Sequence, residues 1–573
     1  MMRTRRKKSL YALFVILVGL SLSAQNVSVV NDIADDALRR GQLWGDLPLT
    51  SSFCIRPLHG SAVKSQNPYE SLQKWDTLFP SRDSSSFHLS KSWLNGNVRV
   101  DALPLYSRIQ YNGHHPYGWQ DGPMIPNKGL QTYFNAGVFA KFYFLEAQFS
   151  PEWVYAQNEP ETWNPPVRVY QGDFPDRFGT GPYVRKFGGQ SFIRGYAGPF
   201  VFSYGTENLA WGPAQDVNLL MSSNAPGMPH TAMGTRKPIQ TRIGSIEAQV
   251  FIGNLAYSGF GYEKGPSPWG SELSDVYRDT TRDGLSRVFS GIVAVYSPKW
   301  LPGLSVGAIR SIWQEGATDT TFNAWQLIPA LARNPFGTGA YAFQTGPMDQ
   351  MAAVFFRYVM PESHVEIWGE FARDDAAADL EDLITSPGHS RGYQWGFRKL
   401  IPLSGKQEYL DAYLNVVQCE AAKELFIRTQ YGFATFYDSD YSNFGQNLGA
   451  GIGTGSNMLK TSLSYVKGAK KYGIQIEQVA HNNDNIYTGR TPWLATWYGY
   501  DFTKKYIDWG ISALYQERQG NLLYNIRLMG MQTYNWNNWY HPTIGWDPNI
   551  STFRALGANY KSLNVFIGIM YFL

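Results

Sequence analysis

LNVFIGIMYFL, residues Leu563–Leu573, places an apolar residue at every second position, with Asn564 and Gly568 among the residues between. A period of two is typical of a β-strand, and a strand that apolar on one face needs lipid or a protein core beside it. A chain that ends on such a strand, with an aromatic residue among its last positions, is typical of bacterial outer-membrane barrels. These barrels pair the final strand with the first, which removes the sheet edge that hydrocarbon does not tolerate.

The other end of the sequence predicts a secretory signal peptide over residues 1–24 of a Gram-negative protein. Five basic residues between Arg3 and Lys8 precede the apolar run Leu10–Leu20, and Ser21–Ala24 supplies small residues for cleavage. The run is too short to span a bilayer. Cleavage would lower the formal charge from +4 to about −1, which argues against a nucleic-acid partner because phosphate binding needs a basic excess.

Alternating, aromatic-rich runs predict an all-β fold, a transmembrane antiparallel β-barrel of about 18 strands over residues 98–573. Short turns such as Gly253-Asn254 alternate with long loops such as Glu207–Thr241, which predicts turns and both barrel ends in the periplasm and loops outside the cell. The predicted strands are 98–111, 129–142, 145–157, 190–196, 200–206, 242–252, 255–262, 285–297, 303–313, 348–360, 363–373, 391–400, 407–419, 457–467, 472–482, 505–517, 522–534 and 562–573.

The two faces of these strands differ in polarity. Val354 and Phe356 lie on one side of a predicted strand and Arg357 on the other, while Glu366 and Glu370 oppose apolar residues on the next strand. We therefore expect a polar lumen cross-linked by ion pairs, and outer-membrane lipid against the other face. The mean hydropathy of −0.31 fits this alternation, because the two faces cancel in any average.

Residues 25–97 predict a small periplasmic helical segment against or within the barrel mouth. Asn31 could cap a short helix, and Glu70–Leu78 repeats the helical pattern. A plug, a partner contact and plain packing remain open as its role. The topology places Cys54 and Cys419 at opposite ends of the barrel, so we expect two unpaired, small apolar residues.

One loop region is dense in Trp, Gly, Pro and Asn. It reads GTENLAWGP at 205–213, LLMSSNAPGMPH at 219–230 and TRKPI at 235–239. This block resembles the signature of the Wzi family of capsule-assembly outer-membrane proteins, and QYN at 110–112, HPYGWQDG at 115–122 and GAGIGTGSN at 449–457 resemble the same family. The resemblance covers most of the chain past residue 90, with departures at Ala214, Ser223 and Thr454.

The resemblance implies an eighteen-stranded barrel with a periplasmic helical bundle and external loops that close the lumen. The implied activity is lectin-like: the protein attaches and organises capsular polysaccharide or exopolysaccharide at the cell surface, with no catalysis. The protein is expected to be a monomer, with the capsule-export machinery as a further candidate partner.

The loop residues have the chemistry of a polysaccharide-binding site. Trp119 and Trp211, with Tyr117, offer flat faces for sugar C–H groups, while amide and carboxylate groups offer directional hydrogen bonds and basic residues could meet an acidic polymer. For each residue the alternative is loop packing over the lumen. The predicted site residues are Trp119, Gln120, Asp121, Trp211, Asn224, His230, Arg236 and Lys237.

No cofactor, metal site or catalytic residue is predicted. The glycine-rich run Gly449–Gly455 lacks a following Lys-Ser or Lys-Thr, and His114-His115 has no ligand partner at metal spacing. Glu366 and Glu370 lie on one strand without a loop to frame a substrate. A porin or substrate-selective channel is the alternative function, and an outer-membrane enzyme is a third. Loops packed inward favour the lectin, whereas a continuous water path favours the porin.

Overall fold

The structure is a computed structural model of the 573-residue chain. It describes residues 26–27, 32–49, 51–59, 90–160, 177–264, 273–278, 286–314, 348–374, 384–405, 408–422, 441–484, 505–536 and 559–572. The predicted signal peptide, residues 1–24, and the predicted helix Glu70–Leu78 lie outside the described residues. No helix within the described ranges is long and apolar enough to cross a membrane.

The described chain forms helix α1 (Asp32–Leu43), two 3-10 turns (Leu94–Gly96 and Pro361–Ser363) and a series of strands. The strands are β1 (Asn26–Val27), β2 (Ile55–Arg56), β3 (Leu58–His59), β4 (Ser90–Trp93), β5 (Val98–Ala102), β6 (Leu105–Tyr117), β7 (Asn127–Asn135), β8 (Val138–Phe142), β9 (Leu145–Phe149), β10 (Glu152–Ala156), β11 (Tyr183–Phe187), β12 (Phe192–Ala197), β13 (Phe200–Gly205), β14 (Ala210–Trp211), β15 (His230–Thr235), β16 (Ile239–Gln240), β17 (Gly244–Ala256), β18 (Phe260–Lys264), β19 (Leu273–Arg278), β20 (Ser286–Pro298), β21 (Leu304–Gln314), β22 (Met348–Met360), β23 (Val365–Asp374), β24 (Arg391–Pro402), β25 (Glu408–Gln418), β26 (Ser442–Asn443), β27 (Gln446–Asn447), β28 (Asn457–Lys467), β29 (Lys470–His481), β30 (Tyr506–Gln519), β31 (Leu522–Tyr534) and β32 (Tyr560–Tyr571).

One antiparallel sheet of 24 described strands forms the wall of the molecule. Its closure is made by β32, which pairs with β6 from Tyr571 opposite Leu105 to Asn564 opposite Asn112. The seam gives the backbone of both strands hydrogen-bond partners, as a strand in contact with lipid requires. The predicted all-β, antiparallel fold is therefore confirmed, including the role of the terminal alternating stretch.

Some predicted strands are divided in two in the structure. Predicted strand 98–111 corresponds to β5 and β6, which are separated at Pro104, and predicted strand 145–157 corresponds to β9 and β10, separated at Pro151. Proline has no backbone N–H and therefore interrupts the ladder of hydrogen bonds. The halves still belong to the same wall, because β5 pairs with β8 while β6 pairs with β7. The sheet also begins earlier than expected, with β4 paired to β5.

The alternation of the strands sorts polar side chains inward and apolar side chains outward, as predicted. Val354 is 58% exposed and Phe356 40% exposed, whereas Arg357, the residue after Phe356, is 1% exposed. On β23, Glu366 and Glu370 are buried in the interior. The expected ion-pair network is present there, since Arg357 Nε donates to Glu366 Oε1 at 2.6 Å.

The predictions of a turn, of a strand and of two long loops between residues 158 and 262 need correction. Gly253-Asn254 is not a turn but lies inside β17, which continues to Ala256. The second half of the predicted strand 255–262 belongs instead to β18, which pairs with β19 in a separate two-stranded sheet. Wall strands were also missed inside segments predicted as long loops. Between the predicted strands 200–206 and 242–252, β15 pairs with β13 and β17, and the short β16 pairs with β17. Between the predicted strands 145–157 and 190–196, β11 pairs with β10.

The helix α1 lies inside the barrel, where its polar side chains pair with the wall. Arg39 donates to Glu366 Oε1 at 2.9 Å, and Arg40 donates to the Tyr409 hydroxyl at 2.6 Å. At the end of the helix, the Trp44 ring lies 4.1 Å from that of His364, which follows a short turn of the wall. The helix therefore occupies the lumen near the end of the barrel that carries the short turns.

The two cysteines are buried and unpaired. They do not separate into different regions of the molecule as expected, because Cys54 and Cys419 belong to the same large interior cluster of apolar residues. The chain segment after α1 runs into this cluster, and Cys54 O accepts a hydrogen bond from Gly212 N at 2.9 Å.

Candidate functional site

Three long segments fold over one another inside the barrel. We call segments 118–126, 206–229 and 441–456 the loop layer. Backbone hydrogen bonds join them, from Gly122 N to Ser223 O at 2.6 Å and from Ser222 N to Leu448 O at 2.8 Å. Leu219 and other apolar residues of the layer are buried in one cluster with wall residues such as Phe289. The layer is thus packed inward against the wall.

Trp211 is a structural centre of the loop layer. It has no exposed surface, its Nε1 donates to Gln249 Oε1 at 2.7 Å, and its ring lies 5.1 Å from that of Phe251. β14 also pairs it with Ile55 of the N-terminal segment. Both faces of the indole are covered by protein in this structure, so the stacking platform predicted from Trp211 is not presented to a ligand.

The structure brings four of the predicted site residues together. Gln120 N donates to Asn224 Oδ1 at 2.9 Å, which joins the segment of Trp119, Gln120 and Asp121 to the segment of Asn224. Asn224 itself is buried and donates to a backbone carbonyl of the loop layer at 2.9 Å. Close packing here needs Gly451, because a Cβ at that position would lie 2.1 Å from Asn224 Oδ1 and 2.7 Å from Trp119 Cβ.

The other predicted site residues lie elsewhere. His230 begins β15, is buried, and its Nδ1 lies 2.8 Å from Met228 O. Arg236 and Lys237 follow β15 at the opposite end of that strand. The Arg236 guanidinium is buried over the Tyr196 ring at 4.5 Å, whereas Lys237 is exposed. These two cations therefore do not lie with Trp119 and Asp121. The expectation that all the predicted site residues form one binding site in the loops is wrong.

A cavity of about 310 Å³ lies between α1, the loop layer and the wall strands β6, β24, β25 and β28 to β32. We call it the lumen cavity. Trp119, Gln120 and Asp121 line it, with Tyr117 beside them. Its further charged and aromatic lining residues are Asp35, Asp36, Arg108, Asp216, Arg398, Asp411, Tyr413, Lys460, Lys471, Glu477, Tyr515, Arg527 and Phe566.

Ion pairs hold most of these charges in place. Arg398 joins Asp36 of α1, at 2.6 Å, to Asp411 of the wall, at 2.7 Å. Lys460 contacts Asp216 of the loop layer at 3.1 Å, and the Tyr413 hydroxyl donates to the same carboxylate at 2.6 Å. The lumen cavity is therefore bounded by fixed polar groups on the helix, the layer and the wall.

Two carboxyl groups on the non-wall side of the cavity are held as carboxylates. Burial opposes the ionisation of Asp36, but Arg398 and its cationic neighbours outweigh this and hold its pKa well below the usual value. Burial acts in the same sense on Asp216, whose pKa is nevertheless lowered by Lys460 and by the hydrogen bond from Tyr413. Both groups therefore remain charged acceptors at neutral pH.

Sequence reasoning missed most of the wall's contribution to this cavity. Arg108, Lys460 and Phe566 are inward members of alternating strands, and nothing in their own segments distinguishes them from other lumen residues. The signal that could have identified such residues is the alternation of side chains along each strand. It places Arg527, for example, on the polar face that points into the lumen. Among the described residues, no group of three or more His, Cys, Asp or Glu side chains is arranged to hold a metal ion.

No protein-family model matches the sequence, and no curated protein sequence matches it. Among solved structures, the chain is similar to Wzi of Escherichia coli, described as an outer-membrane protein involved in group 1 capsule assembly and a carbohydrate-binding β-barrel. The TM-score is 0.54 at 12% identity, covering 96% of this chain and 99% of Wzi.

Weaker likenesses extend to other barrels. The outer-membrane protein opdK of Pseudomonas aeruginosa has a TM-score of 0.36 at 9% identity, covering 82% of this chain and 98% of its own. A BenF-like porin of Pseudomonas fluorescens has a TM-score of 0.34 at 10% identity, with coverage of 82% and 98%. The resemblance predicted from the loop motifs is confirmed as a likeness of fold: the chain is a β-barrel with the architecture of the outer-membrane protein Wzi.

Proposed function

We propose that this protein is an outer-membrane barrel that attaches and organises capsular polysaccharide or exopolysaccharide at the cell surface, as a lectin without catalysis. The observation that carries the proposal is the lumen cavity, in which Trp119 offers an aromatic face beside the polar groups of Gln120 and Asp121. Sugar recognition uses this combination of a flat apolar surface and directional hydrogen bonds.

The fold and the packing of the loops support the same function. Wzi, whose architecture the chain shares, is described as a carbohydrate-binding barrel. The loop layer is packed inward and bonded across its three segments, which favours a closed binding protein over a porin.

The proposal includes a finer organisation of the protein. Counting the divided segments as one strand each gives a barrel of about 18 strands, in keeping with the even strand number of bacterial barrels. We place the long loops outside a Gram-negative cell, both barrel ends in the periplasm, and a cleaved signal peptide before residue 25. The protein would act as a monomer that contacts capsular polysaccharide, lipid and the capsule-export machinery.

Deletion of the gene tests the proposal, with cell-attached and shed polysaccharide measured separately. We expect the amount of shed polysaccharide to rise while the total amount of polysaccharide stays constant. Complementation with the wild-type chain should restore attachment. Trp119→Ala should complement poorly at normal surface expression. The matched control is Trp300→Ala, because Trp300 is 70% exposed beyond the end of β20 and does not line the cavity. Unchanged attachment in the deletion strain would refute the proposed function.

A further inference from the structure

Arg527 is a cation of the lumen cavity with no ion pair or hydrogen bond among the residues that the structure describes. Its guanidinium carbon lies 3.7 Å from the centre of the Phe566 ring. In contrast, Arg108, Lys460 and Arg398 each contact a carboxylate. A guanidinium that rests on a ring face keeps its N–H groups available, and their planar fork matches the two oxygens of a carboxylate.

The strand register places this cation beside an aromatic surface. Arg527 of β31 is opposite Phe566 of β32. The Phe566 ring lies 6.1 Å from that of Tyr117, which in turn lies 4.5 Å from Trp119. The lumen cavity therefore combines a cation with aromatic side chains from the wall and from the loop layer.

Six carboxylates line the same cavity and could oppose an anionic ligand. Four of them, Asp35, Asp36, Asp216 and Asp411, are paired with Arg56, Arg398 or Lys460, which leaves Asp121 and Glu477 to account for. Asp121 is neutralised by Arg108, whose Nη1 lies 3.2 Å from Asp121 Oδ1. Glu477 accepts a hydrogen bond from the Tyr117 hydroxyl. Both carboxylates are thus engaged by other groups, and neither is within ion-pair distance of Arg527. Among the described residues of this part of the cavity, Arg527 is the cation that is not paired with a carboxylate. Its positive charge is therefore available to a ligand.

Three buried amide atoms, each on a residue that lines the cavity, also lack a hydrogen-bond partner among the described residues. They are Gln120 Oε1 and Asn525 Oδ1, which accept, and Gln475 Nε2, which donates. Buried polar groups are normally satisfied, and leaving them unpaired costs stability. A ligand hydroxyl both donates and accepts, so a sugar could pair with both kinds of atom.

We propose that the lumen cavity binds one acidic sugar unit, with its carboxylate on Arg527, its hydroxyls on the three amides and its apolar face against Trp119. This inference rests on the proposed function, because it assumes that the ligand is a carbohydrate. The cavity volume of about 310 Å³ is at the small end of ligand sites, which span roughly 300–1,000 Å³. That size suits a chain end or a side branch of an acidic polysaccharide.

Direct binding to the purified full-length protein tests the inference, in a detergent without a sugar headgroup. The probes are sodium glucuronate and glucose, measured by saturation-transfer NMR titration. We expect glucuronate to bind more tightly than glucose, and Arg527→Gln to weaken glucuronate about tenfold, the order of a charge-assisted hydrogen bond, without changing glucose binding. Arg527→Lys should have an intermediate effect because it keeps the charge but loses the fork.

Arg518→Gln is the matched control, because Arg518 also covers an aromatic ring, that of Phe572 at 5.4 Å, but does not line the cavity. Heat-dependent gel mobility verifies that each variant forms a closed barrel. Equal affinity of the wild type for both sugars, or an unchanged preference in Arg527→Gln, would overturn the acid-binding role. Failure to bind either sugar, alongside shedding of polysaccharide by the deletion strain, would overturn the cavity site and leave the proposed function standing.

Discussion

Glu366→Gln is expected to loosen the attachment of the N-terminal segment to the barrel wall. Glu366 Oε1 accepts from Arg39 at 2.9 Å and from Arg357 at 2.6 Å, and all three side chains are about 1% exposed. Glutamine keeps the shape but removes the charge that balances two buried guanidinium groups. Removing one partner of a buried ion pair costs about 3–5 kcal/mol, compared with about 0–1 kcal/mol for an exposed pair.

Labelling of Cys54 by a maleimide measures this loosening. Cys54 follows Phe53, whose carbonyl accepts from Arg39 at 3.4 Å, and it has no exposed surface. Burial raises the pKa of its thiol to about 11, so the closed segment reacts slowly. A loss of about 3–5 kcal/mol in the free energy of local opening accelerates labelling on the order of 10²–10⁴-fold.

The experiment uses a Cys419→Ala background, so that Cys54 is the only thiol. Glu362→Gln is the control, because Glu362 is exposed on the turn before the same strand. Its labelling rate should equal that of the unmodified barrel. Equal rates in Glu366→Gln and Glu362→Gln, both with closed barrels on unheated gels, would refute the argument that this buried carboxylate holds the segment.

Three further predictions follow from the interior. In planar bilayers the intact protein should show little steady conductance, because α1 and the loop layer fill the lumen; large stable openings at modest voltage would favour the porin. Gly451→Ala should weaken glucose binding while the barrel still closes, because its Cβ would lie 2.1 Å from Asn224 Oδ1; Gly530→Ala, with open space around it, is the control. Burial, together with Arg194 and Arg236, holds the pKa of His59 well below its usual value. The unfolded chain therefore binds a proton that the folded chain does not, and the free energy of unfolding should decrease as pH falls below about 6.5. Urea midpoints from about pH 5 to 8 measure this trend, which His59→Gln should reduce; an equally steep trend in the variant would assign it to other groups.

The wall could be predicted because lipid and lumen impose opposite demands on alternate residues. Strands such as β22 carry this contrast clearly, with Val354 outward and Arg357 inward. The missed strand β15 has the sequence HTAMGT, in which only Met233 is a large apolar residue. Its membership of the sheet depends on pairing with β13 and β17 rather than on its own side chains, so the local pattern was too weak to detect.

The site was predictable only in its chemistry. Trp119 and Trp211 lie in similar loop sequences, yet one lines a cavity and the other is fully buried. What separates them is how segments far apart in sequence pack together. The hydrogen bond from Gln120 to Asn224 spans 104 residues, and the wall cation Arg527 comes from another part of the chain again. Periodicity and motif spacing carry no information about such distances.

The enclosure of α1 constrains how the molecule is assembled. The helix precedes the wall strands in the sequence, yet it lies within a cylinder whose seam is the pairing of β32 with β6. Arg39 contacts Glu366 on the inner surface of the barrel wall. The helix must therefore be inside before β32 pairs with β6, or else enter the closed barrel through one end. Closure of the seam is thus coupled to the placement of the N-terminal segment, whichever of the two routes is taken.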